Sequence, residues 1–223
     1  MFAPDPSRFA HVVPSRRLFA LLVAVAVAAL LVPTAAGRAW AEPPPPPDPA
    51  TSQAHLDELT VSAPLPGDGY DRDLFPHWSD QGDSCNTREA VLERDGADVQ
   101  VGSDCYPTSG TWTSVYDGEV TSEPSDIDID HMVPLKNAWI SGAQNWTTAE
   151  REGFANDLEH AQLIAVSDDS NQEKSAQDPS QWKPENQDYW CTYASAWIDV
   201  KYVYDLTITD EEKSALGDML ATC

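Results

Sequence analysis

Fifteen apolar residues from Leu18 to Val32 follow the pair Arg16-Arg17, and Ala39-Trp40-Ala41 comes soon after them. A charged start, an apolar stretch and small residues at an A-x-A site form the order of a secretory signal peptide, so a cut after Ala41 is expected. The stretch is short for a membrane span, which needs roughly 20 residues. A short N-terminal anchor is the alternative. Ser15-Arg16-Arg17-Leu18-Phe19 also resembles a twin-arginine export signal, and the export route stays open. Whatever folds must then fold outside the cell, within residues 42–223.

Export sets the expectation for the four cysteines, Cys85, Cys105, Cys191 and Cys223. An even number in an oxidising compartment points to disulfides. No C-x-x-C pair occurs, which argues against a structural zinc site. Three pairings are possible. Cys85–Cys105 with Cys191–Cys223 is favoured because each closes a modest local loop, and a loop of some 20 residues would stabilise by roughly 3 kcal/mol.

Cleavage sharpens the charge. The whole chain carries −24, and losing Arg8, Arg16, Arg17 and Arg38 with Asp5 leaves 9 basic and 36 acidic residues, or −27. Such a balance counts against a polyanion binder, which usually carries a basic stripe. It suits a soluble extracellular surface, and divalent cations could neutralise part of the field where a substrate docks.

Pro43 to Pro47 is unbroken proline, and residues 42–54 are expected to be a stiff polyproline spacer. Leu56 and Leu59 suggest a short helix, and Asp68-Gly69 a turn. Residues 70–120 read as loops and short strands, with one helix over Thr87–Arg94 that turns Ala90 and Val91 inward. Ile127 and Ile129 alternate with Asp126, Asp128 and Asp130, which is strand periodicity. Helices are predicted over Lys136–Ala143 and Thr147–Leu158, the second capped by Thr147 or Thr148 with Glu150 following. Leu163–Val166 reads as a buried strand and Asn171–Ala176 as the start of a helix. Tyr189–Tyr204 has helical spacing, and Thr209-Asp210-Glu211-Glu212 caps a last helix ending near Leu220. No internal repeat occurs.

The chemistry-bearing signal is Asp130-His131-Met132-Val133-Pro134, then Phe154-Ala155-Asn156-Asp157-Leu158, then Asn171-Gln172-Glu173-Lys174. This ordered set resembles the HNH, or ββα-metal, nuclease motif. The wider segment is similar to a secreted bacterial HNH family related to the C-terminal nuclease domain of GmrSD-type restriction enzymes. Its other marks are Tyr70-Asp71-Arg72-Asp73-Leu74-Phe75, Thr87-Arg88-Glu89, Ser109-Gly110-Thr111-Trp112 and Asp178-Pro179-Ser180-Gln181-Trp182. The resemblance covers about residues 55–223.

It implies an α+β fold, one disulfide-stabilised domain over residues 55–223 built around a ββα-metal motif. It also implies hydrolysis of phosphodiester bonds in DNA without sequence specificity, with the choice between DNA and RNA left open. A neutral imidazole can take a proton from water near neutral pH. A hard divalent ion can stabilise the phosphoryl charge and the leaving oxygen. On the family pattern His131 is the base, Asp130 and Asn171 hold the metal, and Asn156 orients the His-bearing loop. Oxygen ligands of this kind suit Mg²⁺ or Mn²⁺. Lys174 and Arg88 are the candidate phosphate contacts. The expected partner is nucleic acid, met by a secreted, extracellular monomer with no lasting membrane association. Gln172, at a position often basic in such motifs, and the acidic Glu173 depart from the pattern and weaken the expectation of tight substrate binding.

Blander readings compete at several positions. Asp126-x-Asp128-x-Asp130 could open a calcium loop, but His131 stands where that loop needs glycine. Asp126 and Asp128 read better as a solvated strand face. His160 could be a third metal ligand, or a structural loop histidine. His77 is expected to pack among aromatics, and the eight tryptophans to build core rather than stack on bases. Arg88 could pair with a carboxylate. A metallopeptidase would need H-E-x-x-H, which is missing. A catalytically silent wall- or partner-binding module is the remaining rival.

Overall fold

The computed structural model describes residues 43–223; the expected signal peptide and its cleavage site lie outside the described residues. The order of elements is α1 (Pro49–Glu58), β1 (Asp80–Gly82), β2 (Cys85–Asn86), α2 (Thr87–Asp95), β3 (Ala97–Val101), β4 (Pro107–Thr113), β5 (Val120–Thr121), β6 (Ile127–His131), α3 (Leu135–Ile140), α4 (Thr148–Ala155), β7 (Leu163–Ser167), α5 (Asp168–Lys174), α6 (Trp190–Val203) and α7 (Asp210–Leu220). Helices and strands are thus mixed within one domain. Among the described residues no helix is long and apolar enough to cross a membrane.

The polyproline spacer ends sooner than expected. Asp48 accepts hydrogen bonds from the amides of Ala50 and Thr51, and Pro49 takes the first helical position. A cap and a proline there start a helix, so residues 49–54 belong to the domain. α1 buries Leu56 against α6 and α7.

The central element is the antiparallel pair β6–β7, in register from Ile127 opposite Ser167 to His131 opposite Leu163. Period-two alternation divides it into two faces. Ile127, Ile129, Leu163 and Ala165 pack with Val91 and Leu92 of α2 and with Trp112 of β4. Ile164 and Val166 join the larger core of Tyr116, Tyr193 and Trp197. The end of α2 packs so closely on β4 that a Cβ at Gly96, its C-cap, would collide with the Trp112 ring nitrogen. That nitrogen donates to the Leu92 carbonyl at 2.9 Å.

Both disulfides form the local pairing, Cys85–Cys105 and Cys191–Cys223. The capping boxes Asn86–Glu89, Thr147–Glu150 and Thr209–Glu212 start α2, α4 and α7. Three expected boundaries move. α3 stops at Ile140 rather than Ala143, because Gly142 takes φ 137°. α4 ends at Ala155, with Asn156 as its cap. α5 begins at Asp168, three residues early, capped by Ser167 with Asp168 and Asp169 in the first turn, where carboxylates suit the helix dipole.

Candidate active site

β6 carries Asp130 and His131 to the wall of a cleft of about 270 Å³, and α5 brings Asn171 to the same cleft. The strand and helix meet as two rungs. Asn171 Nδ2 donates to Asp128 Oδ2 at 2.8 Å, and Lys174 Nζ donates to Asp130 Oδ1 at 2.9 Å. Residues two apart on a strand share a face, as do residues three apart on a helix, so the two pairings enforce one register.

His131 is 4 % exposed. Its Nε2 lies 3.0 Å from the Ala155 carbonyl. A carbonyl can only accept, so Nε2 holds the proton and Nδ1 of the neutral ring is left as acceptor. Burial is the largest influence on this ring and pulls its pKa down to about 3; the Ala155 bond opposes that shift, and Arg72, Lys174 and His77 add to it. The Trp78 ring stacks on the imidazole, with centroids 5.7 Å apart.

Trp78 has φ 61°, an uncommon value for a bulky residue. Asn156 brackets it. The Asn156 amide donates to the Pro76 carbonyl at 2.8 Å and accepts from the Ser79 amide at 2.9 Å. The same side chain accepts from Thr87 Oγ1 and donates to the Glu152 carbonyl. These four bonds hold a strained turn against the histidine.

Asp130 is 4 % exposed. Besides the Lys174 pair, its Oδ2 accepts from Tyr116 Oη at 2.7 Å. Burial, and then the Asp130 charge, pushes the Tyr116 pKa well up, so the phenol stays a donor. A carboxylate offers about four lone-pair sites, which leaves Asp130 able to accept further. Asn171 spends its amide nitrogen on Asp128, and its Oδ1 has no partner among the described residues. Asp128 is half-buried, and burial, with Asp168 nearby, raises its pKa despite the Asn171 bond. The pairing fixes which end of the Asn171 amide is free.

Two hard oxygen donors at one cleft, with room for water, fit a small divalent cation. Cys85, Glu93 and Cys105 also cluster, but the two sulfurs are bonded to each other and offer no thiolate.

Residues 90–219 match the family model for the C-terminal domain of GmrSD restriction endonucleases. The chain belongs to that family. A protein named "Uncharacterized secreted protein" from Arthroderma benhamiae is 56 % identical over 181 residues, covering 81 % of this chain and 89 % of that one. This relative is fungal and lends no support to a bacterial origin for the group. No solved structure matches the chain. Membership in a restriction endonuclease family indicates a nuclease-type hydrolase acting on nucleic acid.

For this GmrSD-family domain, the cleft gathers His131, Asp130 and Asn171, and Asn156 stands just behind it. Two expectations need correction. Lys174 is not a phosphate contact: it is 0 % exposed and donates to Asp130 and, at 2.9 Å, to the His131 carbonyl. It lies inside because its helix face points to the core, where a buried lysine needs a carboxylate. Arg88 stands outside the cleft, donating to the backbone carbonyls of Ile127 and Pro124, and pairs with no carboxylate among the described residues. His160 is likewise elsewhere, paired with Asp157 at 2.8 Å. Three cleft-side residues escaped sequence reasoning, namely Arg72, Lys136 and Trp78. Arg72 lies inside the Tyr70–Phe75 motif and Lys136 two residues after Pro134.

Proposed function

We propose that the protein is a secreted, metal-dependent HNH endonuclease that hydrolyses phosphodiester bonds of DNA without sequence specificity, with RNA open as an alternative substrate. The observation that carries this reading is the fixed tautomer of His131, set beside Asp130 and facing the same cleft as Asn171. Its Nδ1 is the ring atom left to accept a proton from an attacking water. Burial keeps the ring neutral across the neutral pH range. Asn156 and the Trp78 stack hold the ring's plane, which limits the orientations lost before reaction. Asp130 and Asn171 would hold Mg²⁺ or Mn²⁺, and the bound ion would supply charge stabilisation for the phosphoryl oxygens and the leaving oxygen. Lys174 and Tyr116 fix the Asp130 carboxylate in place. Nuclease-family membership supports the substrate class. The disulfides, the apolar leader and the secreted relative support an extracellular site of action.

Plasmid digestion in Mg²⁺, with and without EDTA, tests the reading beside a His131→Ala variant. Wild-type cleavage should stop with EDTA, and the variant should lose about 10²–10⁴-fold in single-turnover rate while staying folded. Cleavage that survives EDTA, or a variant of near-normal rate, sinks the mechanism.

A further inference from the structure

A chain of −27 that cuts a polyanion must grip it somewhere, and the structure shows where every candidate cation goes. Nine basic residues follow the expected leader. Lys174 and Lys201 are fully buried. Arg151 donates to the carbonyls of Leu74 and Trp146. Arg94 pairs with Asp95 and donates to the Leu163 carbonyl. Arg88 is bound to two carbonyls, Lys213 donates to the Asp57 carbonyl, and Lys183 lies 5.2 Å over the Trp190 ring. Arg72 and Lys136 remain. Neither side chain has a hydrogen-bond or ion-pair partner among the described residues, both are exposed, and both line the cleft that holds Asp130, His131 and Asn171.

Their placement is built rather than incidental. Arg72 opens a single helical turn capped by Asp71, and the turn is fastened by fully buried Phe75 and by the Arg151 bond to the Leu74 carbonyl. Lys136 is the one exposed residue between Ile129 and Trp139. It sits in the first turn of α3, where a cation opposes the helix dipole. A mild local cost with no internal partner suits an external anion.

We propose that Arg72 and Lys136 form a two-point phosphate clamp at the cleft, so that the substrate is held through about two backbone phosphates rather than along a basic track. Arg72 would take one phosphate through its planar fork, and Lys136 a neighbouring one as a point charge. The rest of the acidic surface repels the strand, which confines the footprint to the cleft. The family model begins at residue 90 and leaves Arg72 outside its match. The clamp rests on reading the cleft as a phosphodiester site.

The test is equilibrium binding of a labelled short DNA duplex to the full chain in EDTA, followed by anisotropy across about 50–200 mM monovalent salt. Two duplex phosphates predict a slope of log K against log salt of about −1.8. Arg72→Ala and Lys136→Ala should each flatten it to about −0.9 and weaken binding about tenfold. The double variant should show almost no salt dependence, and Lys183→Ala should match wild type. A wild-type slope steeper than about −4, unchanged slopes in both variants, or no binding by wild type at the lowest salt overturns the clamp. Plasmid cleavage in Mg²⁺ is scored separately, so a protein that cuts but shows any of these results loses the clamp and keeps the nuclease reading.

Discussion

Two lysines are fully buried in this molecule, and both lie against one ring, with Lys174 Nζ 5.7 Å and Lys201 Nζ 5.9 Å from the Trp197 centroid. Burial pulls both pKa values down, and a carboxylate opposes the shift in each case, Asp130 for Lys174 and Glu212 for Lys201. Their other partners differ. Lys201 bonds Asn137, Ser141 and the Thr207 carbonyl, tying α6 to α3 and to the entry of α7. Lys174 bonds only cleft residues, the Asp130 carboxylate and the His131 carbonyl. The same device thus serves as a rivet between helices at one end and as a positioner of reacting groups at the other.

The comparison breaks most sharply on substitution. Lys174→Met and Lys201→Met each leave a buried carboxylate without its cation, which costs about 3–5 kcal/mol. Removing the partner's charge as well should restore much of the stability in both places. Lys201→Met with Glu212→Gln should then cleave at a near-normal rate per folded molecule. Lys174→Met with Asp130→Asn should stay inactive despite refolding. Urea unfolding with single-turnover cleavage on each double variant checks this, and equal activities in the two would erase the distinction.

The Cys191–Cys223 bridge sharpens it at the helical end. It joins the start of α6 to the C-terminus across a separation of 32 residues. Loop-closure entropy then gives about 3–4 kcal/mol. Cys191→Ser with Cys223→Ser should lower the unfolding free energy from urea titration by that amount with its cleavage rate unchanged in buffer, because the bridge ties α6 to the residues after α7 and neither carries a cleft side chain. A loss of rate larger than the loss of folded protein would link the helical end to the cleft.

What the sequence revealed follows the same division. The β6 alternation was legible because Ile127 and Ile129 face α2 while Asp128 and Asp130 face α5. The local disulfides were legible because short loops are favoured once export is granted. Lys174 was misread because N-x-x-K sets a lysine one turn from Asn171, and spacing alone does not say whether that face meets solvent or core. Arg72 was overlooked because Asp71 and Asp73 flank it and cancel it in any local charge count. The start of α5 was set late because Ser167-Asp168-Asp169 reads as a polar strand end, although a serine before two carboxylates is also an N-cap signal. Alternation and loop length are written along the chain. Which acceptor a buried cation finds depends on strands and helices far apart in sequence.

The smallest expected effect concerns acid. His131 has a folded pKa near 3, well below the value of about 6.5 in an unfolded chain. The folded state therefore binds fewer protons at this site between those values. Stability from His131 is complete above about pH 6.5 and is lost as pH falls toward about 3, at no more than about 1.4 kcal/mol per pH unit. Glu212 has the opposite sign. Burial raises its pKa despite Lys201, so acid relieves a buried charge there, and its contribution is lost as pH rises through the folded value. Acidification should thus loosen the cleft before the helical end. Urea unfolding of wild type and His131→Phe at steps from pH 6 to 4 isolates the histidine, because the other carboxylates cancel in the difference. The difference should move in the variant's favour by about 1.4 kcal/mol for each unit. Hydrogen exchange should show β6 amides opening at a higher pH than those of α7. Parallel pH curves for the two proteins would mean that His131 is not held neutral by its burial, and the fixed tautomer at the cleft would lose its support.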